Sequence, residues 1–308
     1  MPSATLPRPL RGIVPPLITP LVEQETLDAE GLERIILRML DAGVNGIFTL
    51  GTTGEAPGLS YRLRREVVER VCRIVSGRVP VLVGITDTSL TEALNMACKA
   101  AEEGAQAVVY GGPFYYPVSQ AELIRHLDTL ASLSPLPIYL YNIPAHTRVS
   151  FEIPTVRELA GHPRILGFKD SSGDLMYFQR VVEAVRDRPD FAVLMGPEEM
   201  LADALMEGAH GGVSGGANLF PSLFVKLYEA AIAHSYDEMM RLHRIVLELH
   251  NRIYTASSGY AGFLKGIKCA LALEGISSGA MAEPYRPLEG EVRESIAEAL
   301  RYFRRLGL

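Results

Sequence analysis

The stretch Gly167-Phe168-Lys169-Asp170-Ser171-Ser172-Gly173-Asp174 follows the apolar pair Ile165-Leu166, so a short hydrophobic strand runs straight into a lysine. An ammonium group is costly to hold away from water, and burial drives a lysine toward its neutral form. The neutral amine is a nucleophile, and its natural product with a carbonyl is a Schiff base. Strand alternation puts Ile165, Gly167 and Lys169 on one side, and Leu166 and Phe168 on the other. With the bulky pair against outer helices, Lys169 points inward. The plainer alternative is a strand end reaching the surface with Lys169 paired to Asp170.

Two other stretches offer groups that such an amine needs. In Pro137-Ile138-Tyr139-Leu140-Tyr141-Asn142-Ile143-Pro144, alternation places Tyr139 and Tyr141 on one face of the preceding strand. A phenol beside an imine-forming lysine can carry protons to and from the carbinolamine; an isolated tyrosine is otherwise a core residue whose hydroxyl bonds a backbone carbonyl. Gly51-Thr52-Thr53-Gly54-Glu55 brings two hydroxyls and exposed backbone N–H groups into a tight turn, a cradle for a carboxylate. Gly111-Gly112-Pro113 makes another turn, which places Tyr115 and Tyr116 near the same end.

These stretches need a scaffold, and the chain supplies a repeating one. Short apolar segments begin at Gly12, Gly46, Val79, Ala105, Pro137, Ile165, Phe191 and Gly211, with helical patterns between them, a repeat of roughly thirty residues that suits a βα unit. Capping boxes are expected at Ser89/Glu92, Ser119/Glu122 and Thr155/Glu158. Eight such units predict an α/β fold, a (β/α)8 TIM barrel, with ligands at the C-terminal ends of the strands. A doubly wound open sheet is the competing architecture, but no GxGxxG fingerprint follows the first strand. From about Phe220 the alternation gives way to helices alone. The expected division is a catalytic barrel over 1–225 and a C-terminal helical extension over 226–308, packed on the barrel.

Composition narrows the partners. The 308 residues are 48% hydrophobic and 21% charged with a formal net charge of -6, and no long Lys/Arg run exists, which speaks against nucleic acid and for small-molecule substrates. Cys72, Cys98 and Cys269 lie far apart without a CxxC or zinc-like spacing, and the histidines show no HExxH pattern, so no metal is expected. The start is broken by prolines and no apolar run approaches a membrane span, so the expectation is a cytoplasmic protein with no membrane partner.

One motif belongs to another class. Gly212-Val213-Ser214-Gly215-Gly216 fits the G-x-S-x-G elbow of a serine hydrolase, and Asp237 and His243 follow in a suitable chain order. The elbow should come directly between a strong strand and a helix, whereas here glycines crowd a weak strand. They more simply leave room for a ligand near the barrel mouth.

Taken together, GTTGE, PFYYP, YNIP and GFKDSSGD, in this order and at these separations, resemble the dihydrodipicolinate synthase and N-acetylneuraminate lyase family over nearly the whole chain. The resemblance implies a (β/α)8 barrel with extra C-terminal helices, a homotetramer built as a dimer of dimers, and a Schiff base between a lysine on the sixth strand and pyruvate or another 2-oxo acid. No metal or organic cofactor is implied. Carried over by motif, Lys169 is the Schiff-base lysine, Tyr141 the proton-relaying phenol, and Thr52 and Thr53 the relay and carboxylate-binding hydroxyls. Tyr115 is the residue reaching across a dimer interface into a neighbour's site. Val213 lines the pyruvate pocket, with Gly51 and Gly196 also in the substrate-binding set.

Position 146, where synthases of lysine biosynthesis carry an arginine for the second substrate, is His146. Glu198, Glu199 and Ser171 stand where sialate lyases hold the sugar tail, and Gly215 and Gly216 replace small polar residues there. The expected reaction is therefore reversible aldol cleavage of a 2-keto-3-deoxy sugar acid smaller than sialic acid. The alternatives are a 4-hydroxy-tetrahydrodipicolinate synthase or a Schiff-base sugar-acid dehydratase.

Overall fold

A computed structural model of the chain describes residues 4–257, 259 and 261–308. Eight parallel strands are joined by crossover helices: β1 (Gly12–Ile13), β2 (Ile47–Thr49), β3 (Val81–Gly84), β4 (Ala107–Tyr110), β5 (Ile138–Asn142), β6 (Ile165–Asp170), β7 (Ala192–Met195) and β8 (Gly211–Gly212). They pair in the order β1-β8-β7-β6-β5-β4-β3-β2. The gap between β1 and β2 is closed by hydrogen bonds from Phe48 N to Pro15 O (2.9 Å) and from Leu17 N to Phe48 O (2.7 Å). β1 is cut to two residues because Pro15 and Pro16 follow it and carry no N–H for a ladder. The protein is a (β/α)8 barrel with additional C-terminal helices, as the repeat predicted.

Period-2 burial organises the core in two layers. Phe48, Leu82, Val109, Tyr139, Tyr141, Leu194 and Val213 fill the barrel interior. Their strand neighbours Ile47, Val83, Val108, Leu140 and Val193 face the helical shell. In β6 the alternation breaks. Ile138 pairs with Ile165 but Tyr139 pairs with Gly167, leaving Leu166 as an extra residue in a bulge. Ile165 therefore packs with the outer layer and Leu166 inside, the reverse of the expected sides. Beyond the bulge the phase is restored, with Phe168 outward against Phe151 and Lys169 inward.

The helices α1 (Ala29–Asp41), α2 (Tyr61–Val75), α3 (Leu90–Glu102) and α4 (Gln120–Leu133) follow β1 to β4. Then come α5 (Ile153–Ala160), α6 (Leu175–Ala184), α7 (Leu201–Met206) and α8 (Pro221–Ile232). Ser89 and Ser119 cap α3 and α4 as expected, with a full capping box at Ser119 and Glu122. Thr155 is not a cap: Pro154, pre-set for a first helical turn, starts α5 earlier, and the Thr155 hydroxyl donates to Gln120 Oε1 at 2.6 Å. The expected 225/226 division falls inside α8, which is one unbroken helix.

Three further helices follow, α9 (Tyr236–Leu249), which runs on as π-helix through Tyr254, α10 (Gly262–Leu273) and α11 (Gly290–Arg305). No helix among the described residues is long and apolar enough to cross a membrane.

Candidate active site

At the C-terminal ends of the strands lies a cavity of about 780 Å³. Thr52, Thr53, Tyr141, His146, Lys169, Ser171, Gly196, Glu198, Glu199 and Val213 are all on its wall. They come from the ends of β2, β5, β6, β7 and β8, so residues far apart in the chain meet because the barrel aligns the strand ends.

Lys169 is only 6% exposed. It pairs with Tyr141 in the register of β5 and β6, and its ammonium lies 3.9 Å from the centroid of the Tyr141 ring and 5.1 Å from that of Phe48. No carboxylate lies within ion-pair distance of it among the described residues, so the expected alternative pairing with Asp170 does not form. Asp170 turns instead to Asn142, which donates to it at 2.8 Å, and to the Ser172 hydroxyl, also at 2.8 Å. Burial holds its carboxyl above the ordinary aspartate range against those bonds.

Tyr141 is the hub. Its burial alone would push the phenol up, but the Lys169 charge and hydrogen bonds with Ser171, Thr52 and Lys169 outweigh burial and set it below the ordinary tyrosine value. A phenol made more acidic beside an amine is poised to pass a proton either way. Tyr139 points into the same interior. Its ring occupies the space a side chain at Gly167 would need, since a Cβ there would fall 2.4 Å from Cε1, and its hydroxyl is buried without a partner among the described residues. Gly196 is required for a similar reason: a Cβ would fall 2.0 Å from Ser171 Oγ.

Other expected residues are placed differently. Gly51 is buried behind the turn, where a Cβ would fall 2.8 Å from the Phe48 ring, and it is not on the cavity wall. Tyr115 is 73% exposed, in a left-handed backbone conformation with φ of 87°, and is not among the residues lining the cavity. His146 sits on the single helical turn Pro144–Thr147, with its imidazole held below the usual histidine range by burial.

The glutamates are on the wall but already engaged. Glu198 accepts hydrogen bonds from Gly216 N at 2.8 Å and from the Tyr254 hydroxyl, and Glu199 pairs with His250. Burial, with the Glu199 charge adding to it, pushes Glu198 up to about 8. Of the two glycines expected to leave space for ligand, Gly215 is on the cavity wall and Gly216 is not; a Cβ on Gly215 would fall 2.3 Å from Phe263, and one on Gly216 2.2 Å from the Tyr254 hydroxyl. Side chains from the C-terminal helices fill that space.

The hydrolase elbow fails as well. Ser214 is fully buried and its hydroxyl has no hydrogen-bond partner among the described residues, so it bonds neither His243 nor Asp237. A nucleophilic serine needs a base within hydrogen-bond reach.

Sequence reasoning missed the outer wall, formed by Phe263, Leu264 and the segment Ala282–Tyr285. It also missed the buried ion pair of Glu55 with Lys268. The signal available was Lys268 within the apolar run Gly266-Ile267-Lys268-Cys269-Ala270-Leu271.

Comparison with known proteins agrees with this geometry. Residues 9–302 match the model of the dihydrodipicolinate synthetase family. The chain is 36% identical over 302 residues to a 4-hydroxy-tetrahydrodipicolinate synthase of Methanopyrus kandleri, covering 97% of each. Its fold superposes on the solved dihydrodipicolinate synthase of Bacteroides thetaiotaomicron with a TM-score of 0.93 and 48% identity, over 96% of this chain and 99% of that one. It also superposes on YagE of Escherichia coli K12, solved in complex with pyruvate, with a TM-score of 0.90 and 29% identity, over 96% and 98% of the two chains. These matches, which run over nearly the whole chain, place it in the dihydrodipicolinate synthetase family, whose members are Schiff-base-forming, pyruvate-dependent lyases of the aldolase type.

Proposed function

We propose that Lys169 condenses with the 2-oxo carbon of pyruvate or a related 2-oxo acid, and that Tyr141 and Thr52 move the protons. The observation that carries this is the buried Lys169 amine on the Tyr141 ring, with Thr52 and Ser171 bonded to the same phenol. The neutral amine adds to the carbonyl, the phenol delivers a proton to the carbinolamine oxygen, and water leaves to give the iminium. The iminium withdraws electrons from C3, so C3 loses a proton to become an enamine, which attacks an aldehyde. In the reverse direction the C3–C4 bond breaks. Hydrolysis of the imine regains the water and frees Lys169. Thr53 and the backbone of its turn receive the carboxylate of the oxo acid, and Val213 borders it.

The electrophile is read from two facts. The relative from Methanopyrus kandleri is a 4-hydroxy-tetrahydrodipicolinate synthase, and the glutamates expected to grip a sugar tail are occupied by Gly216, Tyr254 and His250. Condensation with aspartate semialdehyde thereby takes precedence over cleavage of a 2-keto-3-deoxy sugar acid. The sugar-acid reading, cleavage or dehydration, keeps one specific support: His146, not an arginine, stands on the wall, and among the described residues Lys169 is the one Lys or Arg that lines it. Tyr115, exposed on a left-handed turn, is offered to a neighbouring copy within a homo-oligomer.

Borohydride with pyruvate should leave one stable adduct, on Lys169, and an adduct elsewhere would overturn the assignment. Turnover of pyruvate with aspartate semialdehyde, set beside a panel of 2-keto-3-deoxy sugar acids, separates the two electrophile readings; activity confined to the sugar acids would put their cleavage or dehydration first.

A further inference from the structure

The double-threonine turn is an unusual backbone. It is bracketed by two non-glycine residues in left-handed conformation, Leu50 with φ of 56° and Glu55 with φ of 55°. Side chains disfavour this region, so such a turn persists only when its surroundings hold it. From the barrel side, the Thr19 hydroxyl donates to Gly54 O at 2.7 Å. From the other side the hold is Glu55 itself. Its backbone N–H donates to Thr52 O at 3.0 Å, which couples its position directly to Thr52.

Glu55 borders the cavity, and its carboxylate turns to the C-terminal region. One carboxylate oxygen accepts from Ala282 N at 2.9 Å and the other pairs with Lys268 of α10. Lys268 in turn donates to Ala280 O at 2.8 Å. Both side chains are almost fully buried, at 1% and 3% exposure. The pair thus ties three things together: the turn that presents Thr52 to Tyr141, helix α10, and the segment Ala282–Tyr285 that closes the outer wall of the cavity.

We propose that Glu55 and Lys268 form a positioning pair for the Lys169 chemistry, through which the C-terminal helical region holds the Thr52–Thr53 turn in register with Tyr141. Neither side chain touches the reacting atoms in this scheme; they act through Thr52. The inference rests on the Schiff-base reading above, because a relay that Lys169 does not use has nothing to be positioned for. It also gives the C-terminal helices a part in the reaction rather than in the shell alone.

The test uses the full chain and needs no second substrate. An imine at Lys169 acidifies the methyl group of pyruvate, so in heavy water the enzyme should exchange those protons for deuterium, and NMR reads kcat and KM of exchange. Three variants are compared with the wild type: Lys268→Met; Glu55→Gln with Lys268→Met, which strands neither charge; and Glu55→Asp, which keeps both charges but shortens the reach. The expected result is a fall of tenfold or more in exchange kcat for the first two and about threefold for the third. KM should change less than threefold, and the double variant should melt near the wild-type temperature.

A role in stability alone predicts variants that melt earlier yet exchange at the wild-type rate while folded. Exchange within twofold of wild type in any folded variant lacking the pair overturns the inference. If the wild type itself neither exchanges nor traps pyruvate at Lys169, the Schiff-base reading has failed instead.

Discussion

Lys169 and Lys268 are both buried lysines, at 6% and 0% exposure, and their surroundings differ in one respect that decides what each can do. Lys268 meets a carboxylate, Glu55, and a backbone carbonyl, so its charge is answered on the spot; burial lowers its pKa and Glu55 pulls it back up. Lys169 meets aromatic faces and a phenol, with no carboxylate of the described residues in ion-pair reach. A lysine locked to a counter-charge is structural, whereas one with no fixed counter-ion and a phenol beside it can add to a carbonyl while the phenol carries the proton. The site sits where the protein leaves an amine unanswered, and the hold sits where it answers one.

Replacing each lysine by methionine gives the widest contrast. Lys169→Met should remove pyruvate exchange and any net turnover by on the order of 10³-fold or more, because the nucleophile is gone and Lys169 is the one lysine lining the cavity among the described residues. Since no ion partner is left stranded, its melting temperature should stay close to that of the wild type. A Lys169→Met protein that is badly destabilised would mean that the amine has a structural partner and the contrast is false.

Lys268→Met should do the reverse to stability. Stranding the buried Glu55 carboxylate costs about 3–5 kcal/mol, a drop in melting temperature of roughly 10 °C for a chain of this size. Denaturant unfolding of the two variants side by side measures the difference; equal losses would erase the distinction.

Much of this is legible in the sequence, and the failures share a cause. The motif residues Thr52, Tyr141 and Lys169 stand out because a parallel barrel exposes strand ends, and period-2 alternation carries a side chain to a known face. Lys169 points inward as alternation predicts, although Ile165 and Leu166 take the opposite sides, because the bulge at Leu166 lies upstream of Gly167 and the count restarts after it. A bulge is a property of two strands in register and leaves no mark in one of them. Gly215 and Gly216 are legible only in part, for the same kind of reason. A glycine announces close approach but not by what, and here the approaching groups, Phe263 and Tyr254, come from the helices of the C-terminal region. Lys268 and Glu55 lie 213 residues apart (268 − 55), so only tertiary structure brings the charges together.

Glu198 sharpens the comparison from the acidic side, as a buried carboxyl with no cation on it. Its folded pKa, about 8, lies above the ordinary glutamate value of 4.5, so the folded chain keeps a proton that the unfolded chain releases in that interval. The stability this group contributes is full below about pH 4.5 and is lost as pH rises to about 8. Glutamine cannot ionise; its one oxygen can accept from Gly216 N while its amide nitrogen donates to the Tyr254 hydroxyl oxygen. Glu198→Gln should therefore gain on the wild type as pH rises, by a few kcal/mol at most near pH 8. Urea unfolding at pH 5 and at pH 8.5 reads this directly; a gap that stays constant between the two would mean that Glu198 is ionised in the folded protein and paired after all.

Ser214 marks the smallest expected effect and the limit of the comparison, a buried polar group that is neither answered nor used. Its hydroxyl has no partner among the described residues to lose, so replacing Ser214 by alanine removes a desolvation penalty along with a small volume, and the two nearly cancel. Ser214→Ala should shift stability by less than about 1 kcal/mol and leave pyruvate exchange unchanged. The same serine should resist a fluorophosphonate, because a hydroxyl with no base beside it stays a poor nucleophile. A tenfold loss of exchange in Ser214→Ala, or labelling at that residue, would show that the group has a working partner in solution, and would reopen the question of which buried polar atoms at this barrel mouth do chemistry.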